Sequence, residues 1–278
     1  MKWVTLIVLI LALAGFVVYT HDGVLPEAVA PDPTLRPIAA RSLPTPTPPP
    51  ASGIMMQGHA AYNYVCFLPR GSDQSERRSP LIFFLHGQRD QEDLESLRRF
   101  GPIAYALDQK EFPFIIAAPA TGRGWYIPDL KITLEAIMSR YPIDPDRVYL
   151  TGLSMGGHAT WSFAIAYPQL FAAIAPVCGG GDAREANRKL KHLPAWVFHG
   201  QLDTIVPIEN GLQMIGALRN TGDEVRYTIY PDAGHDIWSP TYNNPELYQW
   251  LLEHRRYQAE PRRIRPTPTP RALRPVPR

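Results

Sequence analysis

The sequence predicts a single α/β domain built on a doubly wound, mostly parallel sheet. Short apolar, β-branched or aromatic runs alternate with longer helical patterns, and their spacing suits right-handed crossovers. The segment between the run that ends at Val177 and the one that starts near Ala195 is too short for a large lid. Ligands bind beyond the carboxyl ends of the strands in such sheets, so chemistry is expected in the loops that follow them.

Seven runs are predicted as strands: 62–68, 81–85, 114–118, 148–151, 172–177, 196–199 and 225–230. Five segments are predicted as helices: 92–107, 129–141, 155–167, 208–220 and 245–255.

The composition is that of an ordinary globular domain, with 45% hydrophobic and 19% charged residues among 278. The net charge of +2 hides an asymmetry, because six arginines and no acidic residue lie beyond Glu260. Without those six, 22 basic residues face 26 acidic ones, which leaves the rest of the chain at about −4. A net acidic domain has no general attraction for nucleic acid, so we expect no nucleic-acid partner.

Both ends of the chain differ from the middle in composition. Residues 1–25 contain an apolar run and predict a membrane anchor or signal segment, with the domain outside the cytoplasm. Ala28-Val29-Ala30 resembles the small-residue site at which signal peptides are cleaved, but Pro31 follows it and should hinder cleavage there. We therefore favour an uncleaved anchor over secretion. Residues 26–51 predict a Pro/Thr-rich linker, 52–258 the folded domain and 259–278 a basic, Pro-rich disordered tail.

Cys66 and Cys178 are the only cysteines. Both stand in apolar contexts, which favours two buried free thiols over a disulfide. The chain contains no H-E-x-x-H, no C-x-x-C and no phosphate-binding glycine loop. We therefore expect neither a metal nor a cofactor.

A serine nucleophile is predicted at the turn Gly152-Leu153-Ser154-Met155-Gly156, between a strand pattern and a helical pattern. A strand that turns sharply into a helix strains the serine backbone and brings its neighbours close together, which requires glycine two residues before and two after. Ser154 is therefore the predicted nucleophile.

A serine hydroxyl needs an adjacent base, which a carboxylate holds in the right tautomer. Asp203 and His235 each follow a predicted strand, and the chain order Ser, Asp, His is the one expected for this arrangement. An N-terminal helix cap is the alternative role for Asp203. The other acidic residues that could orient the histidine are Asp182, Asp232 and Asp236.

Cleavage of an acyl group passes through an oxyanion, which is usually stabilised by two backbone N–H groups. The N–H of Met155, directly after the nucleophile, is one predicted donor. The other is the N–H of Gln88, in the loop His86-Gly87-Gln88 after a predicted strand. His86 itself is predicted to be structural.

These motifs together resemble the α/β-hydrolase superfamily over nearly the whole predicted domain. L-H-G, G-x-S-x-G-G, H-G-x-x-D-x-x-V-P and G-H-D occur in that order. The surrounding residues are similar to secreted feruloyl and acetylxylan esterases, dienelactone hydrolases and single-domain relatives of prolyl oligopeptidases. One departure is the polar Gln88-Arg89-Asp90, where relatives often carry small residues.

The resemblance implies a serine carboxylic-ester hydrolase that works through an acyl-enzyme intermediate. An open site bordered by Trp125 and Trp238 would suit bulky or polysaccharide-linked esters, because aromatic faces stack on sugar or phenolic rings. Ordinary packing is the alternative role for both tryptophans. The alternative functions are a prolyl-oligopeptidase-like serine peptidase and a surface binding module that has lost activity. The oligomeric state is left open.

Overall fold

The computed structural model describes residues 54–72, 78–88, 93–220 and 225–256. Contacts divide the chain between Pro50 and Ala51, and all described residues belong to the second unit. No helix in these ranges has both the length and the apolar character needed to cross a membrane. The predicted anchor, linker and basic tail lie outside the described residues, so they stay predictions.

Within the described residues, eight strands form one sheet. Their bounds are β1 Ile54–His59, β2 Asn63–Leu68, β3 Ser79–Leu85, β4 Ile115–Ala120, β5 Ile143–Leu153, β6 Ala173–Val177, β7 Ala195–Gly200 and β8 Val225–Tyr230. The spatial order is β1-β2-β4-β3-β5-β6-β7-β8. The β1–β2 and β2–β4 pairs are antiparallel, and every pair from β4 to β8 is parallel.

In the described part of the chain, seven α-helices connect or follow the strands. They are α1 Gly101–Asp108, α2 Ile127–Arg140, α3 Met155–Ala166, α4 Ala183–Lys189, α5 Ile208–Arg219, α6 Trp238–Tyr242 and α7 Pro245–Glu253. The predicted doubly wound, mostly parallel α/β sheet is confirmed.

Alternating side chains of the strands build two cores, one on each face of the sheet. Leu81, Phe83 and Leu85 of β3 pack with α2, α3, α4 and α5, whereas Ile82 and Phe84 pack with α1, α6 and α7. Helices cover both faces, as a parallel sheet requires. Cys66 lies in the first core and Cys178 in the second, and both are free and buried, which confirms the prediction of two separate thiols.

The predicted helix 92–107 is partly wrong. Residues Ser96–Arg99 form a 3-10 turn, and α1 begins only at Gly101, whose φ of 67° breaks the helical path. Pro102 then occupies the first turn of α1, where a missing N–H costs nothing. Among the strands and α-helices of the described residues, three were not predicted at all: β1, α4 and α6.

The close approach of α3 to β3 depends on Gly156. A Cβ atom at this position would overlap the backbone carbonyl of Leu85, which the core of the sheet holds in place. Glycine is therefore required here for packing, in addition to any role in the turn at Ser154.

We expect Gly156→Ala to lower the free energy of unfolding by about 1–3 kcal/mol, because the added methyl group must push two buried elements apart. Urea denaturation measures the effect. Gly216→Ala is the matched control, since Gly216 lies in α5 with open space around its Cβ position. The control should gain about 0.5–1 kcal/mol through helix propensity. Equal stability of the two variants would contradict this account.

Candidate active site

Ser154 lies at the sharp turn between β5 and α3. Its φ of 54° and ψ of −116° lie in a region that residues with a Cβ atom rarely occupy. The turn is held from both sides, because the Ser154 N–H donates to the Val177 carbonyl at 2.9 Å and its carbonyl accepts from the His158 N–H at 3.0 Å. The strained backbone presents the serine hydroxyl at the carboxyl edge of the sheet.

The structure brings Ser154, His235 and Asp203 into one hydrogen-bonded chain. His235 Nε2 lies 2.9 Å from Ser154 Oγ, and His235 Nδ1 lies 2.7 Å from Asp203 Oδ2. An ionised carboxylate accepts only, so Nδ1 carries the proton and Nε2 offers its lone pair to the serine hydroxyl. In this tautomer the imidazole can take the serine proton.

The Asp203 carboxylate is buried, and the loop after β7 wraps around it. Its Oδ1 accepts from the N–H groups of Ile205 and Val206, both at 2.9 Å. Burial by itself raises the pKa of Asp203, but the hydrogen bonds from His235, Val206 and Ile205 outweigh it, so the pKa lies below its ordinary value. The carboxylate therefore stays ionised at neutral pH.

Two buried residues that the sequence analysis did not assign to the site contact Asp203, His235 and the loop around them from the side of the core. The buried His199 donates from Nε2 to the Val206 carbonyl at 2.8 Å, and the same nitrogen lies 3.5 Å from Asp203 Oδ2. The Cys178 thiol donates to the His235 carbonyl at 3.3 Å. His199 opens the H-G-x-x-D segment, and that short spacing is the sequence signal that could have revealed it.

Cys178, His199 and Asp203 also place one potential metal-ligand atom each within 4.8 Å of the others. Their present partners fit a hydrogen-bond network better than a metal site. Burial raises the pKa of the Cys178 thiol to about 12, whereas a metal binds the thiolate. Asp203 is already engaged by His235, and His199 by the Val206 carbonyl.

Asp182, one of the other acidic residues that could have oriented the histidine, has a different role. Asp182 caps α4 by accepting from the N–H groups of Arg184 and Glu185. Asp232 and Asp236 lie on the exposed loop on either side of His235.

The ring of His86 fixes the orientation of the Gly87–Gln88 peptide. His86 Nε2 accepts from the Thr121 N–H at 3.1 Å, so the ring proton is on Nδ1, which donates to the Gly87 carbonyl at 2.5 Å. In a trans peptide the N–H points away from the preceding carbonyl. The Gln88 N–H is therefore directed away from the His86 ring. Arg89 and Asp90, which depart from the family pattern, lie outside the described residues.

A pocket of about 410 Å³ opens beside Ser154 and His235. Its remaining lining residues are Gly87, Gln88, Phe100, Leu153, Ile205 and Trp238. Trp238 stands edge-on to the His235 ring, with centroids 5.9 Å apart. Trp125 lies elsewhere, behind His86, and its indole N–H donates to the His86 carbonyl at 3.1 Å. The two predicted aromatic borders therefore do not face the same cavity.

Comparison with known proteins agrees with this architecture. A model of the prolyl oligopeptidase family matches residues 181–258. A bifunctional acetylxylan esterase/xylanase of Neocallimastix patriciarum is 29% identical over 180 residues, which cover 62% of this chain and 26% of that protein. A protein of Escherichia coli O157:H7 assigned as a carboxymethylenebutenolidase is 31% identical over 116 residues, which cover 38% of this chain and 43% of that protein.

The solved structure of a thermostable esterase matches with a TM-score of 0.62 at 31% identity, covering 74% of this chain and 64% of that one. The chain spans less than half the length of either curated relative named above. Together with the sheet order and the turn at Ser154, these matches establish the class. The chain belongs to the α/β-hydrolase superfamily, as the motifs predicted.

We expect Asp203→Asn to destabilise the fold in a pH-dependent way. The pKa of Asp203 is lower in the folded than in the unfolded chain, so its ionised form stabilises the fold above the unfolded pKa of about 3.9. This contribution disappears as the pH falls through the folded pKa. The variant should be about 1–3 kcal/mol less stable than the wild type at pH 7, and the difference should narrow below about pH 4.

Chemical denaturation at several pH values between 7 and 3 measures this difference. Asp232→Asn is the control, because Asp232 is exposed on the loop before His235. It should follow the wild type throughout. A destabilisation by Asp203→Asn that is the same at every pH would show that the carboxylate charge is not its source.

Proposed function

We propose that the protein is a serine-dependent carboxylic ester hydrolase. The observation that carries this proposal is the continuous hydrogen-bonded chain from Asp203 through His235 to Ser154. Such a chain activates a serine hydroxyl for attack on an acyl carbon. It ends in an open pocket, where an ester could reach the hydroxyl.

In the proposed reaction Ser154 Oγ attacks the ester carbonyl carbon while His235 Nε2 takes the hydroxyl proton. His235 then gives this proton to the departing alkoxide, which leaves as the alcohol, and the acyl group stays bonded to Ser154. A water molecule, deprotonated by His235, attacks the acyl-enzyme, and the acid is released as Ser154 regains its proton. Asp203 stays ionised and stabilises the protonated imidazole in both halves of the reaction.

The oxyanion of each tetrahedral intermediate would bind to the N–H groups of Met155 and Gln88. Met155 is the first residue of α3, where the N–H has no intrahelical acceptor and the helix dipole favours negative charge. The orientation of the Gly87–Gln88 peptide supports the second donor, because His86 holds the Gly87 carbonyl and turns the Gln88 N–H the other way. Gln88 also lines the pocket beside Ser154.

The pocket suits a neutral acyl group with apolar surface. Phe100, Leu153, Ile205 and Trp238 supply aromatic and aliphatic walls. Among the relatives, one is named as an acetylxylan esterase, which supports an ester attached to a polysaccharide. We therefore extend the proposal to esters of bulky or polysaccharide-linked substrates.

Peptide hydrolysis is the second candidate. The prolyl oligopeptidase family model matches residues 181–258, which include both Asp203 and His235. The same three side chains could act on an amide, so substrate comparison must decide between the two. The third candidate, an inactive binding module, is disfavoured because the three side chains are already in contact.

We expect Ser154→Ala to abolish hydrolysis while the protein stays folded. The full chain and the variant are assayed in parallel on nitrophenyl acetate, a feruloyl ester and a proline-containing peptide amide. Ser162→Ala is the control, because Ser162 lies on the exposed side of the same helix. Ester turnover that persists in Ser154→Ala would refute the proposal, and cleavage of the peptide alone would favour the peptidase.

We expect His86→Ala to lower kcat for nitrophenyl acetate by about 10- to 100-fold, with a much smaller change in KM. Loss of the ring frees the Gly87–Gln88 peptide to rotate, which weakens one oxyanion donor, and removal of a whole donor costs about 100- to 1000-fold. Steady-state kinetics separate the two parameters. His59→Ala, at the exposed last residue of β1, should change neither. A rise in KM without a fall in kcat would contradict the assigned role of His86.

A further inference from the structure

A second depression lies at the same carboxyl edge of the sheet as the catalytic pocket. Its volume is about 450 Å³, and it shares no lining residue with that pocket. It is bordered by the aromatic side chains of Tyr62, Trp125 and Tyr126 and by the polar residues Thr121, Arg123 and Asp129.

Two of the three aromatic rings of this depression are held by contacts with each other, and the third, that of Tyr126, is left open to solvent. The Trp125 ring packs edge-on against Tyr62, with centroids 5.4 Å apart, and the Tyr62 hydroxyl accepts from the Tyr126 N–H at 2.8 Å. The Tyr126 side chain itself is 63% exposed and contacts no other aromatic ring of the described residues. A rigid frame therefore presents a free aromatic face.

The polar groups carry opposite charges and are free to bind a ligand. Within the described part of the chain, the side chains of Arg123 and Asp129 make neither a hydrogen bond nor an ion pair. A charged ligand would be attracted by one and repelled by the other. A neutral polyol fits both, because each of its hydroxyl groups can donate to the carboxylate and accept from the guanidinium.

The position of the depression relates it to the catalytic serine. It is formed largely by the loop after β4, whereas Ser154 follows β5, and β3 lies between these two strands. Two strand spacings correspond to about 10 Å, which a short oligosaccharide can span. Trp125 also joins the two regions directly, through its hydrogen bond to the His86 carbonyl.

We propose that this depression is a carbohydrate subsite, which binds a neutral sugar unit in the alcohol part of an ester whose acyl group lies at Ser154. The Tyr126 ring stacks on the sugar face, and Arg123 and Asp129 bind its hydroxyl groups. The role in ester cleavage rests on the proposed esterase function, whereas binding of the sugar itself does not.

Kinetics on two esters of the same acyl group test the role in cleavage. The substrates are a feruloylated oligosaccharide and methyl ferulate, assayed with the full chain. Tyr126→Ala should lower the ratio of their kcat/KM values about tenfold, through a higher KM for the oligosaccharide ester. Tyr126→Phe keeps the ring and should retain most of the ratio. Tyr227→Ala, at a 44% exposed tyrosine on β8 at the far edge of the sheet, is the matched control and should leave the ratio unchanged.

A measurement of sugar binding, which needs no ester turnover, tests the subsite independently of the proposed esterase function. Xylotriose and cellotriose are titrated into Ser154→Ala, which cannot turn over esters, and binding is followed by saturation-transfer NMR. At least one sugar should bind, and Tyr126→Ala in the same background should weaken it about tenfold. Absence of binding, or binding that Tyr126→Ala does not affect, would overturn the subsite. Tyr126-dependent binding without turnover of any ester by the wild type would refute the esterase and leave the subsite standing.

Discussion

The backbone turn at Ser154 is the constraint on which the rest of the site depends. β5 gives way to α3 at a single residue, and this forces Ser154 to a φ of 54°. Such a conformation persists only where the surrounding structure fixes it. Here the Val177 carbonyl holds the Ser154 N–H, and the lack of a side chain on Gly156 lets α3 pack against the end of β3. The same packing that stabilises the sheet therefore positions the hydroxyl.

Asp203 and His235 are positioned by a hydrogen-bond network that begins in the core at His199. His199 holds the Val206 carbonyl, the Val206 N–H holds Asp203, and Asp203 orients His235 toward Ser154. His199 and Asp203 thus hold the backbone of Val206 from two sides, one at its carbonyl and the other at its N–H. A buried polar group is costly unless it is hydrogen-bonded, and the buried His199 meets this need for the Val206 carbonyl by donating to it from the core.

The sequence predicted the parts of this structure that local pattern determines. Glycine two residues on either side of Ser154 and the order of Asp203 and His235 are visible without coordinates, and the apolar runs located the strands from β2 to β8. The parts that were missed depend on distant partners. β1 lacks a clear alternation of apolar and polar residues and exists through its antiparallel pairing with β2. The direction of the Gln88 N–H depends on the backbone of Thr121, which contacts His86 from another loop.

The two tryptophans that were predicted to border the site show how such a distant contact changes the interpretation of a residue. Sequence position suggested that Trp125 and Trp238 border one site, yet only Trp238 lies beside His235. Trp125 instead bonds to the His86 carbonyl, and His86 orients the peptide that carries the Gln88 N–H. The frame that supports the second depression therefore also supports the proposed oxyanion donor. Binding energy gained far from the reacting bond accelerates a reaction only where it helps position the reacting groups. Trp125 and His86 connect the second depression to the peptide of Gln88, so a sugar bound there could contribute to this positioning.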